Sequence, residues 1–215
     1  MEDTQFNNME IIIIGAGGLA REIDSWIAVS KSKARNVIGF MDDDLNVLDG
    51  YLMEKKVISK IDFSTINKSQ AVLFGIADIA FKNELFIKAK EANVNVSCYL
   101  HETSIIGERT ILGEGLIMCP YSIISCDSTI GDLVFINNGS QIGHDVTIGD
   151  FTSIMANVDI GGGAHIGKSV FIGSNAVILP RVKIPDNTRI GAGSVVLKSI
   201  KEAGTYFGNP AKKIY

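Results

Sequence analysis

His144 is the side chain in this sequence best suited to accept a proton near neutral pH, since an unperturbed imidazole titrates near ~6.5. It closes a segment of unusual polar density, Phe135-Ile136-Asn137-Asn138-Gly139-Ser140-Gln141-Ile142-Gly143-His144-Asp145. Asp145 could orient the ring. Adjacent side chains of a regular strand point to opposite faces, however, so the two can meet only where the chain turns. Eighteen residues beyond His144 lies Gly162, inside Gly161-Gly162-Gly163. A glycine lets a reacting group approach the backbone, and its N–H could face a developing oxyanion. A base, an orienting acid and an oxyanion donor are the parts needed to attack a carbonyl. Asn137 can belong to that set or can simply stabilise a turn. Cys126 lies eighteen residues before His144, but stacked small residues explain it better than a Cys–His nucleophile, which needs an activated thiolate. His101 and His165 read as surface residues.

Eighteen is the relevant spacing because of the elements that must hold these residues. From Leu100 to Val196 every sixth residue is a large aliphatic, seventeen positions in succession, thirteen of them Ile. Nine of the seventeen are followed directly by Gly, and four residues after most of them stands a small or β-branched side chain such as Thr110, Ser128, Ser140 or Ala164. A period of six matches neither the helical 3.6 nor the strand's 2. It is the period of a hexapeptide β-helix, with three hexads to a triangular coil. Residues eighteen apart then lie one above another, and Gly162 sits one coil above His144. No hexad is interrupted, so no long loop leaves the coils to build a pocket.

The first third of the chain follows another pattern. Glu10 to Ile14 is a β-branched run entering Gly15-Ala16-Gly17-Gly18, and Leu19 to Val29 has helical periodicity. Asn36 to Met41 reads as a strand ending in Asp42-Asp43-Asp44. Ala71 to Ile76 reads as another strand, Asp78 to Ala92 as a helix with Asp78 as N-cap, and Val94 to Tyr99 as a last strand. This alternation predicts a small parallel sheet of Rossmann type. The glycine turn offers backbone N–H groups at a helix N-terminus, a seat for phosphate. Asp42 lies where a ribose reader would stand. About ninety residues make half of a dinucleotide fold, enough for one nucleotide, and an NAD enzyme would need a second half. The boundaries that follow are an α/β unit over 9–99, a β-helix over 100–198 and a C-terminal tail over 199–215.

Composition narrows the function. A net charge of −4 argues against nucleic-acid binding. Residues 163–215 nevertheless carry +6 against −10 for the rest, which suits a small polyanion near the last coils. The longest apolar run, Met9 to Ala16, is too short to cross a bilayer. Met1 to Asn8 lacks a basic stretch, so a signal peptide is not expected, and neither is a membrane association. Three scattered cysteines without metal spacing read as reduced thiols in the cytoplasm.

The hexapeptide repeat, the His144-Asp145 pair and the closing Gly208-Asn209-Pro210-Ala211-Lys212-Lys213-Ile214 resemble bacterial hexapeptide acyltransferases. With Gly15-Ala16-Gly17-Gly18, Phe40-Met41-Asp42-Asp43 and Gly75, the chain from about Met9 is similar to the sialic acid O-acetyltransferase-like family and its nucleotide 4-amino-sugar N-acetyltransferases. The resemblance implies a left-handed β-helix, a homotrimer, acetyl-CoA between neighbouring helices and no metal. It further implies a nucleotide-linked amino sugar, on UDP or dTDP, held by the N-terminal domain for surface polysaccharide biosynthesis. It places the catalytic base on His144, its acid on Asp145 and an active-site asparagine on Asn137. The acetyl-CoA contacts fall on Ser153, Gly162, Ser174 and Ala192, and the sugar-nucleotide contacts on Gly17, Gly18, Leu19, Asp42, Asp43 and Gly75. Leu19 and Ser153 stand where some relatives have histidine. The expected reaction is acetyl transfer to the sugar's 4-amino group. O-acetylation of a sialic acid or other sugar hydroxyl and a non-catalytic sugar-nucleotide-binding trimer are the alternatives.

Overall fold

The computed structural model describes residues 9–30 and 36–215. The charge pattern of Met1 to Asn8 lies outside them. The described chain separates into two compact units, the first ending at Cys98 and the second running from Tyr99 to Tyr215.

The first unit is a five-stranded parallel sheet. Strand β1 (Glu10–Ile14) leads through the glycine turn into α1 (Gly18–Val29) and back to β2 (Asn36–Met41). Strand β3 (Val57–Ser59), β4 (Gln70–Phe74), α2 (Ile79–Glu91) and β5 (Asn95–Val96) follow. The order β3-β2-β1-β4-β5 places β1 at the centre, with β2 and β4 on either side. Ile11 to Ile14 are buried on both faces, which is why this strand reads as an unbroken β-branched run and not as an alternation. Asp78 caps α2 as its sequence suggests, accepting from the Phe81 N–H at 2.8 Å. Gly75 lets the sheet approach α1: a Cβ there would sit 2.8 Å from the Ala20 Cα. Strand β3 is missing from the sequence reading. Its three residues, none of them buried, form an edge strand too short to show a period.

The second unit is a left-handed parallel β-helix. Two-residue strands recur every six residues from Tyr99–Leu100 to Val195–Val196, and they stack into three sheets. The register is eighteen throughout, as in Gln141 opposite Ile123 and Asp159. Ile124, Ile142, Ile160 and Ile178 are all buried in one such stack. Burying each aliphatic side chain contributes roughly 1.5–3 kcal/mol, and the ladder repeats that contribution in every coil. The small residues four places on form a second interior column, and its hydroxyls have a defined task. The Ser140 hydroxyl donates to the Met155 carbonyl at 2.8 Å and accepts from the Val158 N–H at 3.1 Å. Thr152 makes the same bridge to Gly167 and Val170. The residues after Lys198 are not a loose tail. Thr205–Phe207 pairs parallel with Arg189–Ile190, and Lys212–Lys213 pairs antiparallel with it in turn.

Candidate active site

The corners of the coils bring the chemistry together. At each corner one residue takes a left-handed conformation, and Asp145 does so with φ of 58°. That turn cancels the strand's alternation, so His144 and Asp145 point the same way. The imidazole Nδ1 lies 2.6 Å from Asp145 Oδ2. An ionised carboxylate can only accept, so Nδ1 carries the hydrogen and Nε2 keeps its lone pair for a substrate. Both side chains are about two-thirds exposed. One coil above, Gly162 lies directly against the ring: a Cβ on it would stand 2.7 Å from Nε2. Any other residue there would displace the imidazole. Gly161 and Gly163 donate their N–H groups to the carbonyls of Ile178 and His144, whereas the Gly162 N–H meets no acceptor among the described residues. A proton acceptor with a fixed tautomer thus lies beside an unpaired backbone donor.

The two coils below add two residues that the sequence reading passed over. Arg109 grips Asp127 with two parallel hydrogen bonds, Nε to Oδ1 at 2.5 Å and Nη2 to Oδ2 at 2.9 Å. Asp127 is held down to about 2, first by Arg109 and then by the Cys126 thiol, with a smaller contribution from His144. The same contact pushes the Cys126 thiol up. Cys126 therefore donates to Asp127 as a neutral thiol and forms no nucleophilic pair with His144. The signal was present, since Arg109, Asp127 and Asp145 are spaced by eighteen.

Other predicted residues lie elsewhere on the coil. Asn137 follows Ile136 and belongs to the preceding corner, where its Oδ1 accepts from the Asn138 N–H at 2.7 Å. Ser174 and Ala192 stack at that same corner, one coil apart, the first half-buried and the second exposed. Ser153 is fully buried in its strand, between Phe135 and Phe171 in the register. One chain therefore gathers His144, Asp145 and Gly162 at one corner, and Asn137, Ser174 and Ala192 at another. Of the remaining histidines, His165 is exposed. His101 is half-buried instead, its Nδ1 2.9 Å from the Thr103 hydroxyl.

The predicted sugar-nucleotide residues collect at the C-terminal ends of β1, β2 and β4, the crevice where open α/β sheets bind ligands. Gly17 and Gly18 are exposed, and the N–H groups of residues 17–19 donate to no other described residue. Helix α1 has no side-chain cap, so its positive end stays open. Asp42 serves the turn. Its Oδ2 accepts from the Ala16 N–H at 2.8 Å and its Oδ1 from the Asp44 N–H at 2.9 Å. Asp43 is exposed and accepts from the Ile61 N–H at 3.3 Å. Leu19 is half-buried, and Gly75 is buried beneath α1. Arg21, one turn into the helix, stacks on Tyr51 at 3.8 Å, and its Nε reaches the Gly17 carbonyl at 3.4 Å. Among the described residues no group of three His, Cys, Asp or Glu could hold a metal, and no helix is long and apolar enough to cross a membrane.

Comparison with known proteins agrees with this division. Residues 10–89 match the PglD N-terminal domain, and residues 163–198 match the bacterial transferase hexapeptide (six repeats). Among solved structures, the acetyltransferase domain of PglB from Neisseria gonorrhoeae, in complex with acetyl coenzyme A, superposes with a TM-score of 0.88. It is 21% identical over 96% of this chain and 100% of that one. A histidine-to-asparagine mutant of perosamine N-acetyltransferase from Caulobacter crescentus, in complex with CoA and GDP-perosamine, has a TM-score of 0.86 and 25% identity over 95% of this chain and 96% of that one. WeeI from Acinetobacter baumannii is 26% identical over 96% of this chain and 100% of that one, with a TM-score of 0.82. No curated protein matches the chain by sequence. The chain thus joins a match to the PglD N-terminal domain with a match to the bacterial transferase hexapeptide repeat.

Proposed function

We propose that this protein transfers the acetyl group of acetyl-CoA to the 4-amino group of a nucleotide-linked 4-amino-4,6-dideoxy sugar. The observation that carries the reading is the corner where His144, held by Asp145, lies against Gly162, whose N–H has no acceptor among the described residues. The acceptor amine attacks the thioester carbonyl, and His144 takes the proton that the amine loses. The Gly162 N–H stabilises the tetrahedral oxyanion, which collapses to the amide and expels CoA as its thiol once it is protonated. General-base help of this kind contributes typically ~10²–10⁴-fold, and one oxyanion donor about 10²–10³-fold. Asp145 keeps Nδ1 protonated and so leaves Nε2 available.

The N-terminal unit supplies the acceptor site. Its unpaired amides at residues 17–19 suit a diphosphate, and Asp42 and Asp43 lie beside them to accept hydrogen bonds from the nucleoside. The relative bound to GDP-perosamine is described as an N-acetyltransferase, which supports an amine over a hydroxyl. It also adds guanosine to the uridine and thymidine nucleotides suggested by the sequence. Acetyl-CoA is held by Gly162 of one chain together with Ser174 and Ala192 of another, and Asn137 joins His144 across the same junction; Ser153, fully buried, is out of its reach. The division of these residues between two corners supports a homotrimer, because a second copy can reunite them.

The test is release of CoA thiol from acetyl-CoA across a panel of UDP-, dTDP- and GDP-linked 4-amino sugars and free sialic acid. Turnover with one 4-amino sugar and not with its 4-hydroxy counterpart is the expected result. Turnover confined to sialic acid would make the enzyme an O-acetyltransferase, and no thiol release with any acceptor would leave only a binding protein.

A further inference from the structure

Arg109, Asp127 and Asp145 occupy the same position in three successive coils, with φ values of 58°, 60° and 58°. Their side chains therefore leave the backbone in the same direction, spaced by about 4.8 Å along the axis. The columns at this corner read Glu108, Cys126, His144, Gly162, Pro180 and, beside them, Arg109, Asp127, Asp145, Gly163, Arg181. His144 thus sees one carboxylate at its own level, a second in the coil below, and a guanidinium beneath that one. Above it two glycines leave a coil without side chains, with Arg181 a level higher. Glu108 completes the charges facing it, and its Oε2 accepts from Arg109 Nη1 at 3.2 Å. A bare second carboxylate under His144-Asp145 would favour the imidazolium, the form that cannot act as a base. The bidentate guanidinium neutralises it.

We propose that the Arg109–Asp127 pair is a charge-balancing device that sets the pH range over which His144 is available as a base. The proposal rests on the reading of His144 given above. Neither residue touches the reacting atoms. They are positioning residues of an electrostatic kind, and what they position is a titration.

The signs can be worked out in advance. Removing the cation by Arg109→Gln leaves Asp127 uncompensated, favours the imidazolium and moves the acidic limb of the kcat/KM profile to higher pH. Removing the anion by Asp127→Asn leaves Arg109 with Glu108 alone and moves the limb to lower pH. At these separations in a solvated site, each shift is roughly a third to half a pH unit at low salt, and it shrinks as salt screens the charges. In the double variant the two shifts largely cancel, leaving a small fall because the removed anion stood one coil nearer than the removed cation. Arg109→Lys, which keeps the charge, leaves the limb in place.

The experiment pairs the pH–rate profiles with NMR titration of the imidazoles in the intact protein. The chain has three histidines, and His144→Ala identifies the signal of interest by its loss. Opposite shifts of the His144 midpoint in the two single variants, largely cancelling in the double, are the expected outcome. Midpoints that stay put, or that move in the same direction, overturn the proposal. If the midpoints move oppositely while the rate profiles do not follow, the electrostatic device stands and His144 is not the base. Should either single variant fail to fold, the charge-swapped pair Arg109→Asp with Asp127→Arg keeps the ion pair and brings the cation one coil closer. Its midpoint must fall, and a midpoint that does not fall overturns the proposal.

Discussion

His144 stands at an exposed corner of a unit held together by its Ile ladder, so its chemistry and its contribution to stability separate. His144→Ala is expected to change stability by no more than about 0.5 kcal/mol, as exposed substitutions usually do. It should cut kcat by ~10²–10⁴ with both substrate affinities nearly unmoved, because a base acts chiefly in the transition state. Retention of more than about a tenth of the original kcat would fall outside that range and remove His144 from the role. Gly162→Ala probes the same corner from above. The new methyl would lie 2.7 Å from Nε2, so the ring must swing away from the acceptor. A fall in kcat of about tenfold or more, without loss of thermal stability, is expected for so small a misplacement. Unaltered kcat would show that the ring is not held against Gly162 during turnover. The meeting of His144 and Asp145 is the kind of detail that sequence reading leaves open, since adjacency in a strand forbids it. Only the left-handed φ of Asp145 permits it, and Asp takes that conformation more readily than most residues.

In the parallel sheet, Asp42 and Asp43 have similar sequence signatures but different work. Asp42 spends both oxygens on backbone N–H groups and ties the glycine turn to the end of β2. Asp42→Asn replaces one acceptor with a donor that faces an N–H, so both the melting temperature and acceptor affinity should fall. Asp43→Asn should weaken the nucleotide sugar alone. Acetyl-CoA KM stays constant in both, and an unchanged acceptor KM in both would remove the acceptor from this unit. Helix α2 carries a different surprise. Lys82 is 1% exposed, and burial pushes its ammonium down to about 7. An amine that loses its proton earlier when folded contributes stability at high pH, and this is lost as the pH falls from about 10.5 towards 7. Unfolding measured across that window should show stability rising with pH, and Lys82→Met should flatten the slope. Apart from β3, the strands and helices of this unit were legible from β-branched runs, helical spacing and the Asp78 cap. Lys82 was not, because a long amphipathic side chain gives no sign in the sequence of whether its head reaches water.

For the assembled protein, the division of candidate residues between two corners leads to a concentration-independent trimer in sedimentation. A stable monomer near the chain mass of 23.2 kDa at micromolar concentration would contradict it. The basic C-terminal stretch can be narrowed in the same spirit. Lys168 already bridges Asp150 at 2.6 Å, and Arg189 stacks on Phe171 at 4.4 Å. The side chains of Arg181 and Lys183 form no ion pair among the described residues, so their reversal to Glu should raise the acetyl-CoA KM with little change for the sugar. If neither does so, the excess positive charge is solvated rim. The hexapeptide period fixed which residues share a corner, so the His144–Gly162 relation could be read directly. The same period puts Asn137 and His144, seven residues apart, at successive corners, but it could not say whether a second copy reunites them.

The eighteen-residue register has a consequence for how such a chain can change. In most domains a surface insertion is a local event, absorbed by the loop that receives it. Here the sequence behaves like a wound tape whose columns are read across its turns. One residue gained between His144 and Gly162 would move the imidazole out of line with that glycine and shift every later residue by one place against the coils below. A gain or loss of eighteen would restore every column and merely lengthen or shorten the stack. Length in this unit is therefore quantised, and a duplicated coil inserted above Val196 should leave the corner of His144, Asp145 and Gly162 as it is.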